Sequence, residues 1–284
     1  MDKKASSFNR TRNMNYTGIL ELSATKKREK TILSTWYHEG ALKITRPIYH
    51  EENLPSIYLI HVGGGYVDGD TYLTTINVEE EGELAVTTQS STKVYRTPNH
   101  PVVQQTSIHL GKNSVLEYMP DPLIAYEGAK FIQETTVYLE EDSCFLYSDM
   151  ITPGWAADGE LFRYDWIRSK LKLYKEGKLV LFDHLLLEPD EDIAGIMQME
   201  GYTHIGTFFI MHKEAKKLFL DRLYKIIGNF QPDTRFGLSS LSESGVILRI
   251  LARNTGSIEK IIARAYCFAR RELLGKDCVT WRKY

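Results

Sequence analysis

The stretch Ile167-Arg168-Ser169-Lys170-Leu171-Lys172-Leu173-Tyr174-Lys175-Glu176-Gly177-Lys178-Leu179-Val180-Leu181 alternates apolar and polar residues over Ile167–Tyr174, reverses through Lys-Glu-Gly-Lys, and resumes with the apolar Leu-Val-Leu. Ile167, Leu171 and Leu173 share one face with Ser169, while Arg168, Lys170 and Lys172 take the other. That is the period of a strand with one buried face. Working outward, strand character recurs at Ala41–Arg46, Ser56–Val62, Tyr72–Val78, Glu83–Thr88, Val102–Leu110, Phe131–Leu139, Phe162–Tyr174 and Leu179–Leu187. The separators Glu79–Gly82, Gly111–Asn113, Glu140–Ser143 and Lys175–Lys178 carry Gly, Asn or charged residues suited to hairpin reversals. The expectation is a large antiparallel β-structure filling residues 19–210.

Two later segments change to a helical period. Over Lys213–Gly228 the stripe is Ala215, Leu218, Phe219, Leu223, Ile226 and Ile227. Over Ser257–Gly275 it is Ile258, Ile261, Ile262, Ala265, Phe268, Ala269 and Leu273, with Ser257 as the expected N-cap and Gly275 as the C-terminal stop. Gly245–Leu251 reads as a strand between them. No Pro/Gly/Ser-rich linker divides the chain and no internal repeat stands out. Residues 1–284 are therefore expected to form a single mainly β domain with two α-helices near the C-terminus.

Composition bounds the function. The chain has 284 residues, 43% of them hydrophobic and 25% charged, and a formal charge of −2, so it has core enough to fold and no overall field to hold a polyanion. No local basic patch stands out, so no nucleic-acid partner is expected. Nowhere do eighteen apolar residues run together, and the expectation is a soluble cytoplasmic protein with no membrane association. Cys144, Cys267 and Cys278 are far apart, odd in number and without CxxC spacing, which argues against a disulfide framework and a thiolate zinc site. The eight histidines contain no HExxH or HxH, and there is no GxSxG.

Four polar runs stand apart. The first, Gly63-Gly64-Gly65-Tyr66-Val67-Asp68-Gly69-Asp70, is no phosphate loop: it lacks GK[ST] and ends in carboxylates that would repel phosphate. It reads either as a bulged turn or as a mount on which Asp68 and Asp70 meet a cation. The second, Thr87-Thr88-Gln89-Ser90-Ser91-Thr92-Lys93-Val94-Tyr95-Arg96, is almost wholly hydroxyl and amide before turning basic. If it is not a solvated edge strand, those groups require partners, water or a passing ligand. In the third, Pro120-Asp121-Pro122-Leu123-Ile124-Ala125-Tyr126-Glu127-Gly128-Ala129, two prolines fix the backbone around Asp121. The fourth, Pro153-Gly154-Trp155-Ala156-Ala157-Asp158-Gly159-Glu160, carries another acidic pair. The acidic run 188–192 reads as a solvated loop.

In this order, and followed by Arg271-Glu272-Leu273-Leu274-Gly275, the four runs resemble the urease accessory protein D family (UreD, also UreH) over most of the chain. The family's recurrent strings GG-x-V-x-GD, TTQ-x-x-TKVYR, PDPLIPF-x-GA and PGR-x-x-x-GE appear as Gly64 to Asp70, Thr87 to Arg96, Asp121 to Ala129 and Pro153 to Glu160. Departures are Asp68 and Ser91 in place of small residues, Trp155 in place of Arg, and the ending Val279-Thr280-Trp281. The resemblance implies a helical β-sandwich type of fold and a non-enzymatic factor for urease maturation. It implies partners too: a UreF-type protein, a UreG-type GTPase reached through it, and apo-urease. Nickel would be transient cargo with no tightly bound cofactor, carried along an internal polar tunnel. Nickel binds imidazole and thiolate tightly, so a conduit that must release it is better served by oxygen ligands. The expected metal contacts are Asp68, Asp70, Asp121 and Glu160, with Gln89, Ser90, Thr92, Lys93 and Glu127 as further polar path residues. A different reading of the same acids is an Asp/Glu-dependent hydrolase, carbohydrate-active or metal-assisted, which would place paired carboxylates across an open cleft.

Overall fold

A computed structural model describes residues 15–189, 193, 195, 198–228 and 233–281. In chain order the strands are β1 Gly18–Lys27, β2 Lys30–Gly40, β3 Leu42–Ile44, β4 Ile48–Glu51, β5 Leu54–His61, β6 Thr71–Val78, β7 Glu83–Thr88, β8 Thr92–Val94 and β9 Val102–Leu110. They continue as β10 Val115–Met119, β11 Leu123–Ala125, β12 Lys130–Leu139, β13 Cys144–Ile151, β14 Trp166–Lys175, β15 Lys178–Leu187, β16 His204–Met211, β17 Thr234–Ser240 and β18 Gly245–Ala252. Helix α1, Lys217–Ile227, lies between β16 and β17; helix α2, Thr255–Ala269, follows β18 and runs into a π-helical turn, Arg270–Leu274.

From β6 to β14 the chain winds between two sheets. One has seven strands in the order β15-β14-β12-β9-β6-β1-β2; the other has eleven, along β17-β18-β16-β13-β10-β7-β5-β3 with β4, β8 and β11 attached to the side. Successive coils pair in parallel, β6 with β9, β9 with β12 and β12 with β14 in the first sheet, and β7 with β10 and β10 with β13 in the second. Antiparallel pairs such as β1–β2, β14–β15, β13–β16 and β17–β18 lie toward the two ends of the stack. The mainly β class and the two C-terminal helices are as expected, and the architecture is a stacked, solenoid-like pair of sheets. The direction of pairing is corrected. Of the four expected hairpin turns only Lys175–Lys178 joins neighbours in one sheet, and the other three carry the chain across to the opposite sheet. A strand with one buried face has period two whatever the direction of its neighbour, so the pattern could not distinguish the cases.

Those three crossing turns reveal a repeat that did not stand out in the sequence. In Val78–Leu84, Leu110–Leu116 and Leu139–Phe145 a buried apolar residue opens the corner and another closes it. The residues Glu81, Asn113 and Asp142 take equivalent left-handed positions, with φ of 55°, 53° and 54°. The corners stack by backbone bonds, Glu81 N–H to Lys112 O (2.8 Å) and Asn113 N–H to Glu141 O (3.1 Å). Inside, Leu22, Ile76, Ile108, Val137 and Leu173 lie in register across five strands and are all buried, a column that a solenoid extends by one member per coil.

A second core lies between the eleven-stranded sheet and the helices, where Phe219, Leu223 and Ile227 of α1 and Ile258, Ile261, Ile262 and Ala265 of α2 pack on Phe208, Ile210 and Leu248. The α2 stripe is thus core, whereas in α1, which begins at Lys217 and not at Lys213, Leu218 and Ile226 of the expected stripe are exposed. Gly206 on β16 lets α2 approach closely, since a Cβ there would sit 2.3 Å from Ile258 Cγ2. Helix α2 begins earlier than expected: Asn254, not Ser257, is its N-cap, accepting from Ser257 N–H at 2.9 Å. Asn254→Ala should therefore cost about 1 kcal/mol in chemical denaturation; an unchanged midpoint would show the cap to be redundant. The expected absence of a disulfide is also corrected. Cys267 on α2 is bonded to Cys278 in the tail, with Cα atoms 4.7 Å apart, because the left-handed Gly275 turns the chain back on itself. Cys144 is free and buried. The acidic run 188–192 lies partly outside the described residues.

Candidate functional site

The four polar runs are the four successive turns at the other edge of the solenoid. Gly63–Asp70 leads from β5 into β6, and the second run leaves β7 and contains β8. The third contains β11 between β10 and β12, and the fourth leads from β13 toward β14. Each holds the next through its backbone: Tyr66 N–H to Lys93 O (2.8 Å), Thr92 N–H to Pro122 O (3.2 Å), Tyr126 N–H to Val94 O (2.8 Å) and Trp155 N–H to Ala125 O (3.0 Å). The glycines allow this approach. A Cβ on Gly65 would lie 2.6 Å from the Tyr95 ring, and one on Gly154, whose φ is +87°, would lie 2.3 Å from Ala125 O. Tyr95, Tyr126 and Trp155 form a stair of rings outside, with centroids 4.7 and 5.1 Å apart, so Trp155 is a half-exposed member of a packed ladder.

Behind these turns a cavity of about 180 Å³ runs between the sheets. Gly64, Ser90, Ser91, Thr92, Lys93 and Asp121 line it from the polar runs; Gln104, Tyr118, Gln133, Thr135, Tyr147 and Asp149 line it from the strands. Polar groups this deep between two sheets are unusual, and such a space is roomy enough for several waters. Asp121 is set by Thr88, whose hydroxyl donates to Asp121 Oδ2 (3.0 Å) and accepts from Asp121 N–H (2.8 Å). On β13 Asp149 Oδ2 accepts from Gln133 Nε2 (3.0 Å) and Ser169 Oγ (3.3 Å). Burial pushes the Asp149 carboxyl up to about 6, against the opposing pull of those two donors. The side chain touches the cavity, so it keeps some accessible surface although it is deep in the fold. Tyr66 reaches across, its hydroxyl donating to Gln104 Oε1 at 2.9 Å.

The expected site residues divide. Asp121, Ser90, Thr92 and Lys93 line the cavity; Asp68, Asp70, Gln89, Glu127 and Glu160 do not. Asp68 ties its loop to the next one, accepting from Asn99 N–H (2.9 Å), Asn99 Nδ2 (3.0 Å) and His100 N–H (2.9 Å). The His100 and then the Asn99 bonds hold its carboxyl below the usual range. Asp70 caps its own turn by accepting from Val67 N–H (2.8 Å), and also accepts from Thr17 Oγ1 (3.0 Å) and Tyr72 OH (2.8 Å). Glu127 pairs on the surface with Arg163 at 3.5 Å, and Gln89 and Glu160 are exposed. Among the described residues no three His, Cys, Asp or Glu side chains converge to hold a metal ion. Sequence reasoning missed Asp149, Gln133 and Gln104. The signal for Asp149 was a carboxylate inside the apolar run Phe145-Leu146-Tyr147-Ser148-Asp149-Met150-Ile151, where a charge needs a reason.

Comparison with known proteins points one way. The family described as UreD urease accessory protein matches residues 16–282. The chain is 71% identical over 271 residues to urease accessory protein UreD of Bacillus sp. (strain TB-90), covering 95% of this chain and 100% of that one. It is 38% identical to the protein of that name from Lachnoclostridium phytofermentans, over 95% and 99% of the two chains. The Staphylococcus epidermidis protein is 37% identical, over 95% and 98%. No helix among the described residues is long and apolar enough to cross a membrane.

Proposed function

Because this chain belongs to the UreD urease accessory protein family, with a non-catalytic role in urease maturation, we propose that its internal cavity carries nickel toward the urease active site. The observation that carries this reading is the cavity wall: two carboxylates, Asp121 and Asp149, set among hydroxyls, amides and Lys93, with no cluster of three His, Cys, Asp or Glu side chains among the described residues. Each carboxylate lowers the energy of a hydrated divalent ion in a region drier than bulk water, and neither holds it in a closed shell, so the ion can move on. Asp68 and Asp70 contribute by fixing the turns that frame the outer end. Glu160, with Gln89 and Glu127, belongs to the outer surface of the same edge, where an ion or a partner first arrives. The partners we assign are a UreF-type protein, a UreG-type GTPase acting through it, and apo-urease, in the cytoplasm. The hydrolase reading finds less support, since the family is one of non-catalytic urease accessory proteins.

The test is the double variant Asp121→Asn with Asp149→Asn, co-expressed with apo-urease and the UreF-type and UreG-type proteins. Urease nickel content should fall severalfold while the assembled accessory complex is recovered in normal yield, and each single variant should show a smaller loss. Normal nickel content in the double variant would refute the passage. A loss of complex parallel to the loss of nickel would assign the two acids to folding or docking.

A further inference from the structure

The seven-stranded sheet ends in a strand whose open side and outer face are both unprotected. Both helices pack on the other sheet, and among the described residues β15 pairs only with β14. Such an edge leaves a row of backbone N–H and C=O groups pointing away from the sheet, which proteins blunt with short strands, prolines or outward lysines. β15 does the reverse. It is ten residues long, and its outward positions carry Phe182, His184 and Leu186, with Phe182 and Leu186 54% and 51% exposed. Its inward carboxylate, Asp183, is already paired with Arg249. The neighbouring strand sets a cation directly across from each outward side chain: Lys172 from Phe182, Lys170 from His184 and Arg168 from Leu186. Of the three only Lys170 has a carboxylate partner among the described residues, Glu134 at 3.7 Å, while Arg168 faces the Trp166 ring, 5.9 Å from its centroid. In a chain of net charge −2 this is a local excess of positive charge around exposed apolar side chains.

We propose that the β15 edge docks an extended, acidic segment of a partner protein, added to the sheet as a further strand. The segment's main chain satisfies the open N–H and C=O groups, its outward apolar residues cover Phe182 and Leu186, and its carboxylates meet Lys172 and Arg168. A nucleic acid has no alternation of backbone donors and acceptors to match the edge. A second copy of this chain fits poorly, because pairing β15 with β15 brings two cationic hairpins together. The inference is independent of the cavity and of what passes through it.

The probes are two peptides matched in length and alternation, one of glutamate–valine repeats and one of lysine–valine repeats. Each is added to the full-length protein and followed by fluorescence anisotropy and by hydrogen exchange. The glutamate peptide should bind, slow exchange of the β15 N–H groups that point away from β14, and weaken by about tenfold between low and high salt. The lysine peptide should bind at least about tenfold more weakly. Lys172→Glu combined with Arg168→Glu should weaken the glutamate peptide by about tenfold or more. Phe182→Ser, at an exposed position, should weaken it severalfold with the thermal transition in place, and this variant decides the matter if the double one does not fold. Equal binding of the two peptides, or unchanged exchange in β15, would overturn the inference. Dimers sealed through β15 would overturn it in favour of a second copy. Binding that appears only after Asp190→Ser, Glu191→Ser and Asp192→Ser would overturn it too, by showing that the chain's own acidic run holds the face.

Discussion

Arg270→Ala should lower the stability of the protein by about 3–5 kcal/mol, the size of loss that follows when a buried charge is left without its partner. Arg270 and Glu117 are 0% and 1% exposed. The guanidinium donates to Glu117, to Glu51 and, through Nε, to the carbonyl of Asp277, while the Tyr266 hydroxyl donates to the second oxygen of Glu117. One side chain thus joins the end of α2, the strands β10 and β4, and the C-terminal tail, which is also tied by Lys276 to Glu83. Burial pushes the Glu117 carboxyl up and Arg270 opposes it. Without the arginine the carboxylate is left in a dry interior with one phenol donor, so it must take a proton or draw in water. Two checks follow by denaturant titration. Adding Glu117→Gln to Arg270→Ala should recover a large part of the loss, because the unpaired charge is gone, and the single variant should recover part of it as the pH is lowered and Glu117 protonates. A loss below about 1 kcal/mol for the single variant would mean that the network is solvated and contributes little.

That network marks the limit of what the chain disclosed before folding. About half of the strands were legible, where residues such as Ile167, Leu171 and Leu173 alternate with polar neighbours and bury one face. The segments Cys144–Ile151 and His204–Met211 were missed, since both of their faces are covered and alternation is lost. The coil repeat was latent in Glu81, Asn113 and Asp142, three different residue types that tolerate one left-handed conformation at equivalent corners. Convergence of the four polar runs followed from their shared place in each coil. What the runs could not show is which acid faces inward. Asp70 and Asp121 look alike in sequence, yet one caps a turn and the other lines the cavity. Arg270 finds Glu117 across 153 residues, and no local pattern encodes such a partner.

Asp149→Asn should do the opposite of Arg270→Ala and stabilise the folded protein at neutral pH while impairing it as an ion carrier. An ordinary aspartate titrates near 3.9 in the unfolded chain, and in the folded protein Asp149 is pushed up to about 6. Below about pH 4 both states hold the proton and the carboxyl costs nothing. As the pH rises from about 4 to 6 the unfolded chain releases the proton and the folded one keeps it, so stability falls; above about 6 the whole cost is present. Asparagine removes that cost and still offers an oxygen to Gln133 and Ser169. The variant should therefore gain about 2 kcal/mol at pH 7 and nothing at pH 4, which denaturant midpoints at the two pH values would measure directly. A gain of the same size at both pH values would point to packing and not to the charge; a loss at pH 7 would show that the carboxylate is stabilised by a cation already at hand. Natural proteins commonly give up stability at functional sites, and under the proposed passage the partner that Asp149 lacks within the protein is the nickel ion.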